Sequence, residues 1–193
     1  GAAIEWLEDL ELIDDAAETA GLARSVDSTD GVYFVPAFTG LGAPHWDGRA
    51  RGTIVGMTRG TRKEHLVRAT LESIAYQTRD VAEAMEADSG VDTTSLRVDG
   101  GAVKNNFLCQ LQADILQTEI VRPEVDETTA LGSAYAAGLA VGYWEDLDSL
   151  RQNWQVDDDF QAERHQEEVD EKYDRWSEAV ERSRDWANDE GDG

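Results

Sequence analysis

The sequence predicts an α/β fold with a ligand crevice where its strands end. Short apolar runs typical of buried strands alternate with longer segments whose apolar residues recur at helical spacing. In the middle of the chain a strand, a double-glycine turn, a helix, another strand and another helix follow in order. Sheets covered by helices have this order, and their ligands bind at the strand ends.

The N-terminal part predicts two helices and two strands. Apolar spacing places a helix at 2–12, and an alanine-rich segment at 15–26 predicts a second. Strands are predicted at 32–35 and 53–57. A glycine-rich loop with an exposed-looking Trp46 joins them, and such a loop is either functional or simply a tight connection.

A long helix is predicted from Thr61 to Asp88. Thr61 and Glu64 have capping-box spacing, and Gly90 supplies a C-terminal stop. Its apolar stripe is predicted to face the core and consists of Val67, Leu71, Ile74, Val81 and Met85.

The remaining pattern predicts shorter elements and then a helical tail. A strand around Leu96 leads into a helix that carries Leu108 and Ile115, and further elements are expected as a strand at 119–121 and helices at 128–142 and 146–150. The acidic run 157–159 is predicted to be a solvated turn, and a helix with Trp176 on its apolar side is predicted at 162–187. We predict one domain, with an α/β core to about residue 145 and a C-terminal helical tail at about 146–193.

The charge balance excludes several classes of partner. Lys and Arg total 17 and Asp and Glu total 41, which gives a net charge of −24. Nucleic acid and anionic membranes are poor partners, because both are bound through basic patches that this chain lacks. The acidic surface instead favours a halophilic source, since salt screens its self-repulsion. A merely acidic mesophilic protein is the alternative.

Cysteine content and hydropathy indicate a cytoplasmic protein. Cys109 is the only cysteine, so no intrachain disulfide can form, and we expect a core residue in a reducing cytosol. No apolar run approaches the ~20 residues needed to span a bilayer. The chain starts at Gly1 without a methionine or a helix cap, so we expect sequence upstream of it.

The clearest candidate site is the stretch 99–106, where a strand meets a helix. Gly100 and Gly101 allow a flat ligand to approach the backbone, and amides at the helix start favour phosphate oxygens. Asn105 can donate and accept, as ribose or adenine requires. Asp99 either holds a magnesium-bound water or caps the helix, and the cap is preferred. A glycine pair after a strand can also be only a tight turn.

Apart from this stretch, the sequence has no motif typical of nucleotide or metal chemistry. Walker A, Rossmann and protein-kinase loops are missing from the sequence. His45, His65 and His165 lie on different elements without ligand spacing, and His65 and His165 are predicted to be surface residues.

Several motifs resemble the FGGY family of carbohydrate kinases. The run GTIVGM at 52–57, then His65-Leu66 and ATLE at 69–72, is similar to the second signature of that family. The stretches VPAFTGLGAPHWD, ATLESIAYQTRDVAEAMEADSG, LRVDGGAVKNNFL and TALGSAYAAGLAVG narrow the resemblance to its glycerol kinases. The resemblance extends from Gly1 to about Trp186.

This resemblance implies a fold, ligands and site residues. The fold is a ribonuclease-H-like ATPase lobe of the actin and hexokinase type, incomplete at its N-terminus, which binds ATP or ADP with Mg²⁺. The implied nucleotide contacts are Gly101, Ala102 and Asn105 in the glycine turn, with Gly1 and Glu5 at the start of the chain. Glu5 stands where bacterial relatives tend to carry glutamine.

The resemblance also implies what lies outside this chain. The catalytic residues and the glycerol site belong to a missing N-terminal kinase domain, so no catalytic or metal residue is assigned here and the chain alone is expected to be inactive. The implied reaction is ATP-dependent phosphorylation of glycerol by a homo-oligomer. Another FGGY sugar kinase, of the xylulose type, or a non-catalytic nucleotide-binding or interaction module remains the alternative.

The net charge of −24 generates a prediction about salt. We expect the melting temperature to rise markedly between low and molar KCl, because counterions screen the repulsion between surface carboxylates. Thermal unfolding followed by circular dichroism across a salt series measures this. A flat or falling trend would contradict the halophilic interpretation.

Overall fold

The computed structural model describes residues 1–125, 128–151 and 155–187. The helices are α1 Ala2–Asp9, α2 Glu18–Arg24, α3 Lys63–Ser89, α4 Asn106–Leu116, α5 Thr128–Ala140, α6 Leu147–Arg151 and α7 Gln166–Ser183. The strands are β1 Tyr33–Val35, β2 Thr53–Val55, β3 Ser95–Arg97, β4 Glu119–Pro123 and β5 Val156–Phe160. A 3₁₀ turn, Gly101–Lys104, lies between β3 and α4. The predicted α/β class and the order of elements as far as α6 are confirmed.

The strands form two small sheets. In the first, β1 pairs with β2 in antiparallel fashion, with Phe34 opposite Ile54. In the second, β4 is the central strand, parallel to β3 on one side and antiparallel to β5 on the other. The parallel pair brings the end of β3 and the glycine turn beside α4, as expected for a strand-turn-helix crossover.

The prediction of a solvated turn at Asp157-Asp158-Asp159 is wrong, because these residues lie in β5. Pairing with β5 satisfies the backbone groups along one side of β4, which outweighs the low strand propensity of aspartate. Arg122 of β4 offsets the negative charge, with ion pairs of 2.7 Å to Asp157 and 3.6 Å to Asp158. The predicted tail is therefore not only helical; residues 152–154 and 188–193 of it lie outside the described ranges.

Helix α4 lies between two apolar cores. Leu111 and Ile115 on one face join the main core, together with residues of α1, α3, β1 and α7. Cys109 and Ala113 on the other face pack with Ile120 in a second, smaller core beneath β4 and β5. The expectation that Cys109 is a core residue is confirmed, since its side chain is fully buried.

Helix α3 begins and packs differently from the prediction. Its N-cap is Arg62, whose backbone N–H donates to Nδ1 of His65 at 3.0 Å. Thr61 instead accepts the N–H of Thr58, so the Thr61–Glu64 capping box is wrong. His65 is buried by this contact and is not a surface residue. The stop at Gly90 is confirmed by its left-handed backbone, with φ of 68°.

The apolar stripe of α3 is buried along only part of its length. Val67 and Leu71 are fully buried, whereas Val81 and Met85 are exposed. Three charged side chains, Arg68, Glu72 and Asp80, are buried instead. The apolar pattern of the sequence could not predict these buried charges, because each is buried only with a partner that the folded chain brings to it.

Arg68 and Glu72 form a buried ion pair that joins α2 to α3. Nε of Arg68 lies 3.0 Å from Oε1 of Glu72, and the guanidinium also donates to the carbonyl oxygens of Ala23 and Val26 at the end of α2. Burial, with a smaller contribution from the Glu72 carboxylate, raises the pKa of Tyr33 to about 12. The pair therefore fastens α3 to the chain at the end of α2.

Asp80 connects α3 to the C-terminal helix α7. Its carboxylate accepts the hydroxyl proton of Tyr173 at 2.6 Å and the indole N–H of Trp176 at 3.1 Å. Val169, Trp176 and Val180 of α7 are buried, so the predicted apolar side of this helix is confirmed. Among the described residues, no helix has the length and hydropathy to cross a membrane.

The buried pair predicts a specific pattern of stability. Arg68→Met leaves Glu72 charged and without its partner, and we expect it to lower the free energy of unfolding by about 3–5 kcal/mol. The double variant Arg68→Met/Glu72→Met should be closer to wild type, since apolar replacement of a whole pair is often tolerated. Urea unfolding of the three proteins measures both effects. A single-variant loss below about 1 kcal/mol, the scale of an exposed ion pair, would contradict the arrangement.

Candidate functional site

A concave pocket of about 550 Å³ lies between α2 and the start of α4. One wall is formed by α2 and the residues just before it, and the other by the 3₁₀ turn and the first residue of α4. The lining residues are Ile4, Ala16, Ala17, Thr19, Ala20, Arg24, Gly101, Ala102, Lys104, Asn105 and Asn106. This size is typical of small-molecule sites.

The glycine turn leaves the second wall open to a ligand. Gly100 has φ of 85°, a conformation that a side chain would strain, and it directs the chain from β3 into the 3₁₀ turn. A Cβ placed on Gly101 would meet no protein atom within 4 Å. Val103 of the turn is buried in the second core and anchors it. The backbone of Gly101 is thus accessible from the pocket.

Asn105 holds the two walls together. Its Oδ1 accepts the backbone N–H groups of Phe107 and Leu108 at 3.0 and 3.1 Å, and so caps α4. Its Nδ2 donates to the hydroxyl oxygen of Thr19 at 3.1 Å, and that hydroxyl donates to the carbonyl of Ala16. This cap uses the amides of Phe107 and Leu108, so these two are not open to phosphate. Asn105 lines the pocket, and its amide bonds to protein atoms.

The wall formed by α2 was missed by sequence reasoning. Ala16, Ala17 and Ala20 present small apolar side chains to the pocket, and Arg24 continues the same face one helical turn beyond Ala20. The only sequence signal was the unusual alanine content of this segment. Alanines at helical spacing are equally typical of close helix packing, so the signal did not distinguish the two.

Of the five residues predicted to contact a nucleotide, three line the pocket and two do not. Gly101, Ala102 and Asn105 lie together in it, whereas Gly1 and Glu5 are outside, although Ile4 between them lines the wall. Glu5 is exposed, and its carboxylate lies 3.9 Å from the amino group of Gly1. The nucleotide contacts assigned to these five residues stay a prediction.

Asp99 does not cap the helix that follows it. The hydroxyl of Thr128, at the start of α5, donates to the Asp99 carboxylate. The 3₁₀ turn Gly101–Lys104 has Gly100 as its N-cap and no side-chain cap, so the preferred interpretation of Asp99 is wrong. The contact ties the end of β3 to α5.

The pocket presents basic side chains to a ligand. Among the described residues, its lining includes Arg24 and Lys104 and has no Asp, Glu, His or Cys. The Cys109 thiol lies in the core behind it, where burial raises its pKa, so it stays protonated at neutral pH. Within the described ranges, no group of His, Cys, Asp and Glu is arranged to hold a metal ion.

Residues 1–141 match the model of the C-terminal domain of the FGGY family of carbohydrate kinases. The chain belongs to this family. The resemblance seen in the sequence is thereby confirmed, and the match covers both walls of the pocket.

Relatives in the FGGY family include glycerol kinases of halophilic archaea. The chain is 78% identical to the glycerol kinase of Haloarcula marismortui over 190 residues and 76% identical to that of Halobacterium salinarum. Each alignment covers 98% of this chain but only 37% of the relative. The chain therefore spans about 37% of the length of the curated relatives that it matches.

Solved FGGY kinases share the fold. The crystal structure of Plasmodium falciparum glycerol kinase with ADP has a TM-score of 0.87 and 39% identity, and covers 95% of this chain and 37% of that one. The xylulose kinase of Lactobacillus acidophilus has a TM-score of 0.78 and 25% identity, and covers 94% of this chain and 37% of that one. The predicted kinase-lobe fold and its status as a C-terminal part are confirmed.

The cap at Asn105 generates a prediction about stability. Asn105→Ala removes the cap of α4 and the bond to Thr19, and we expect the free energy of unfolding to fall by about 1–2 kcal/mol. Asn105→Asp keeps the capping oxygen and should lose less. Chemical denaturation of both variants measures the difference. If Asn105→Ala weakened nucleotide binding at unchanged stability, the amide would act on the ligand instead.

Proposed function

We propose that this chain is the nucleotide-binding C-terminal part of an ATP-dependent glycerol kinase. The complete enzyme transfers the γ-phosphoryl group of ATP to glycerol in glycerol catabolism, and yields sn-glycerol 3-phosphate and ADP. The observation that carries the proposal is the identity of 76–78% to glycerol kinases along 98% of the chain. A xylulose-type kinase is less favoured, because this chain is only 25% identical to the xylulose kinase of Lactobacillus acidophilus.

The geometry of the pocket supports a nucleoside as its occupant. The alanine wall of α2 offers an apolar surface on which a base can lie, and the open backbone at Gly101 allows close approach from the opposite side. ATP and ADP are the nucleotides proposed, and the Plasmodium falciparum relative was crystallised with ADP. Gly101 and Ala102 act by shape and backbone contact, and Asn105 keeps the walls in register.

Magnesium, which a phosphoryl-transfer enzyme requires with ATP, does not fit this pocket. Hard cations prefer carboxylate oxygens, and none of the described residues that line it carries a carboxylate. Asp99 lies outside and accepts the hydroxyl of Thr128. We therefore assign the Mg²⁺ ligands to other parts of the complete enzyme.

The residues that line the pocket also indicate where the catalytic base of the complete enzyme lies. Phosphoryl transfer needs a group that accepts the hydroxyl proton of glycerol, and in the part of the chain that the structure describes no carboxylate or histidine lines the pocket. The N-terminal kinase domain is proposed to supply that base and the glycerol site. A non-catalytic interaction module is less favoured, because the residues that line the pocket lie within the segment 1–141 that matches the kinase family.

The cellular setting is proposed on chemical grounds. A cytoplasmic location agrees with the one buried, unoxidised cysteine. A salt-rich cytoplasm agrees with the net charge of −24 and with the relatives from halophilic archaea. Assembly as a homo-oligomer remains a prediction.

A substitution at Gly101 tests the nucleotide site in the full-length enzyme. Gly101→Val places a branched side chain at a pocket-lining position where an added Cβ meets no protein atom within 4 Å. We expect the KM for ATP to rise about tenfold or more, equivalent to about 1.4 kcal/mol of lost binding. The KM for glycerol and the melting temperature should change little. Steady-state kinetics with ATP or glycerol varied measure the two KM values. Xylulose is included as a substrate that we expect the enzyme to reject.

Gly138→Val is the matched control. A Cβ at Gly138 would overlap the indole ring of Trp144, so this variant should lose stability but keep its KM for ATP while folded. Equal KM increases for ATP and glycerol in Gly101→Val would mean that the turn is only structural. Efficient phosphorylation of xylulose in place of glycerol by the wild-type enzyme would overturn the proposed substrate.

A further inference from the structure

Helix α5 is an uncharged helix at the surface of a highly charged chain. Its residues at 128–140 read TTALGSAYAAGLA and include no Asp, Glu, Lys or Arg, whereas 30% of the whole chain is charged. Among the residues of α5 that the structure describes, only Gly138 is buried. A helix that is apolar on all sides is normally buried, and a surface helix normally has a charged face. Helix α5 is therefore exposed without the composition of an exposed helix.

Helix α7 shows what a surface helix of this chain looks like. Its apolar residues Val169, Trp176 and Val180 are buried, and its charged residues, such as Glu171 and Glu178, are exposed. The chain thus places charges where a helix meets water, as its net charge of −24 requires. The lack of charge on α5 indicates that α5 does not meet water in the complete protein.

The exposed apolar surface continues beyond the end of α5. Val141, Tyr143 and Leu147 are 81%, 77% and 63% exposed. Between them, Trp144 packs edge-to-face on Tyr135 of α5, with ring centroids 5.1 Å apart, and holds this segment against the helix. We call α5 and residues 141–147 the α5 patch. Contiguous exposed apolar residues of this kind mark an interface.

The free edge of β3 adjoins the α5 patch. Among the described strands, β3 pairs with β4 on one side and with no strand on the other. The hydroxyl of Thr128, at the start of α5, donates to the carboxylate of Asp99, which follows β3 closely in the chain. An open strand edge presents N–H and C=O groups that a further strand can bond. One partner can therefore cover the patch and pair with the edge.

The remainder of the complete protein is the occupant that fits both features. The chain spans only 37% of the glycerol kinases that it matches along 98% of its own length, so most of each relative lies outside it. A segment linked to this chain is present at high effective concentration and can supply both a strand and apolar side chains. A second copy would have to overcome the repulsion between two chains of net charge −24.

We propose that the α5 patch and the free edge of β3 form the docking surface for the remainder of the complete protein, and that a strand from outside this chain extends the sheet at β3. Because β3 leads into Gly100 and the 3₁₀ turn, the docked part also supports one wall of the pocket. The inference rests on this chain being the C-terminal part of a longer protein, and it is independent of nucleotide binding and of kinase activity.

Thiol accessibility in the full-length enzyme tests the patch. Ala130→Cys and Ala137→Cys each place a thiol at a position that is exposed in this chain. We expect both thiols to react with a maleimide at least ~100-fold more slowly than an exposed thiol, because a covered site reacts only when the interface opens. The rate of the enzyme without an added cysteine is subtracted, and Cys109 contributes little because it is fully buried.

Ser177→Cys on α7 is the matched control, since Ser177 is also small, exposed and within a helix. Equal labelling rates on α5 and at this control would overturn the proposal. Protection of α5 that disappears on dilution would also overturn it, because a second copy of the protein would then be the occupant.

Hydrogen exchange of the unmodified full-length enzyme tests the strand edge without any variant. In an edge strand, alternate N–H groups point away from the neighbouring strand and exchange readily. We expect the amides of 95–98 to be protected as strongly as those of β4. Rapid exchange of about half of them, the alternate set of an open edge, would overturn the pairing at β3. A protected α5 patch in an enzyme that forms no ADP with glycerol would refute the proposed function and support the docking surface.

Discussion

The buried guanidinium of Arg68 is the constraint on which the pocket depends. A charge inside a core is stable only if its hydrogen bonds are satisfied, and Arg68 meets this condition through Glu72 and the carbonyls of Ala23 and Val26, at and just after the end of α2. These contacts fix the end of α2 against α3. The opposite face of α2 then forms a wall of the cavity, so the position of the wall is set by a buried ion pair.

The second wall depends on the two faces of α4. One face packs in the main core and the other beneath the three-stranded sheet, so the start of α4 cannot move without disturbing both cores. Asn105 stands at this start and bonds across to Thr19 on α2. The cavity is thus a gap between two rigidly held elements, which suits a preformed ligand site. The packing of α2 and α4 sets the width of the cavity, and the side-chain amide of Asn105 spans it.

Surface charge and pocket charge differ in sign, and the two have different physical roles. The acidic exterior is of a kind whose self-repulsion salt screens, and it agrees with the relatives from halophilic archaea. The described residues that line the pocket include Arg24 and Lys104 and no carboxylate. An anionic ligand can therefore enter a locally favourable region of a protein whose overall charge would repel it. Salt screening reduces the long-range repulsion more than it weakens short contacts inside the pocket.

The sequence by itself determined the α/β class, most helix positions, the kinase family and the glycine turn at Gly101, because these depend on local periodicity, on chain flexibility and on motifs. It did not predict β5, since only pairing with β4 makes Asp157-Asp158-Asp159 a strand. Nor did it predict the buried His65 and Arg68, the role of Asn105 as a cap, or the wall formed by α2. Each of these depends on contacts between residues far apart in the chain or on competition for hydrogen bonds at a helix start. Only the tertiary structure decides such contacts, because a polar group is buried or exposed according to the partner that packing brings to it.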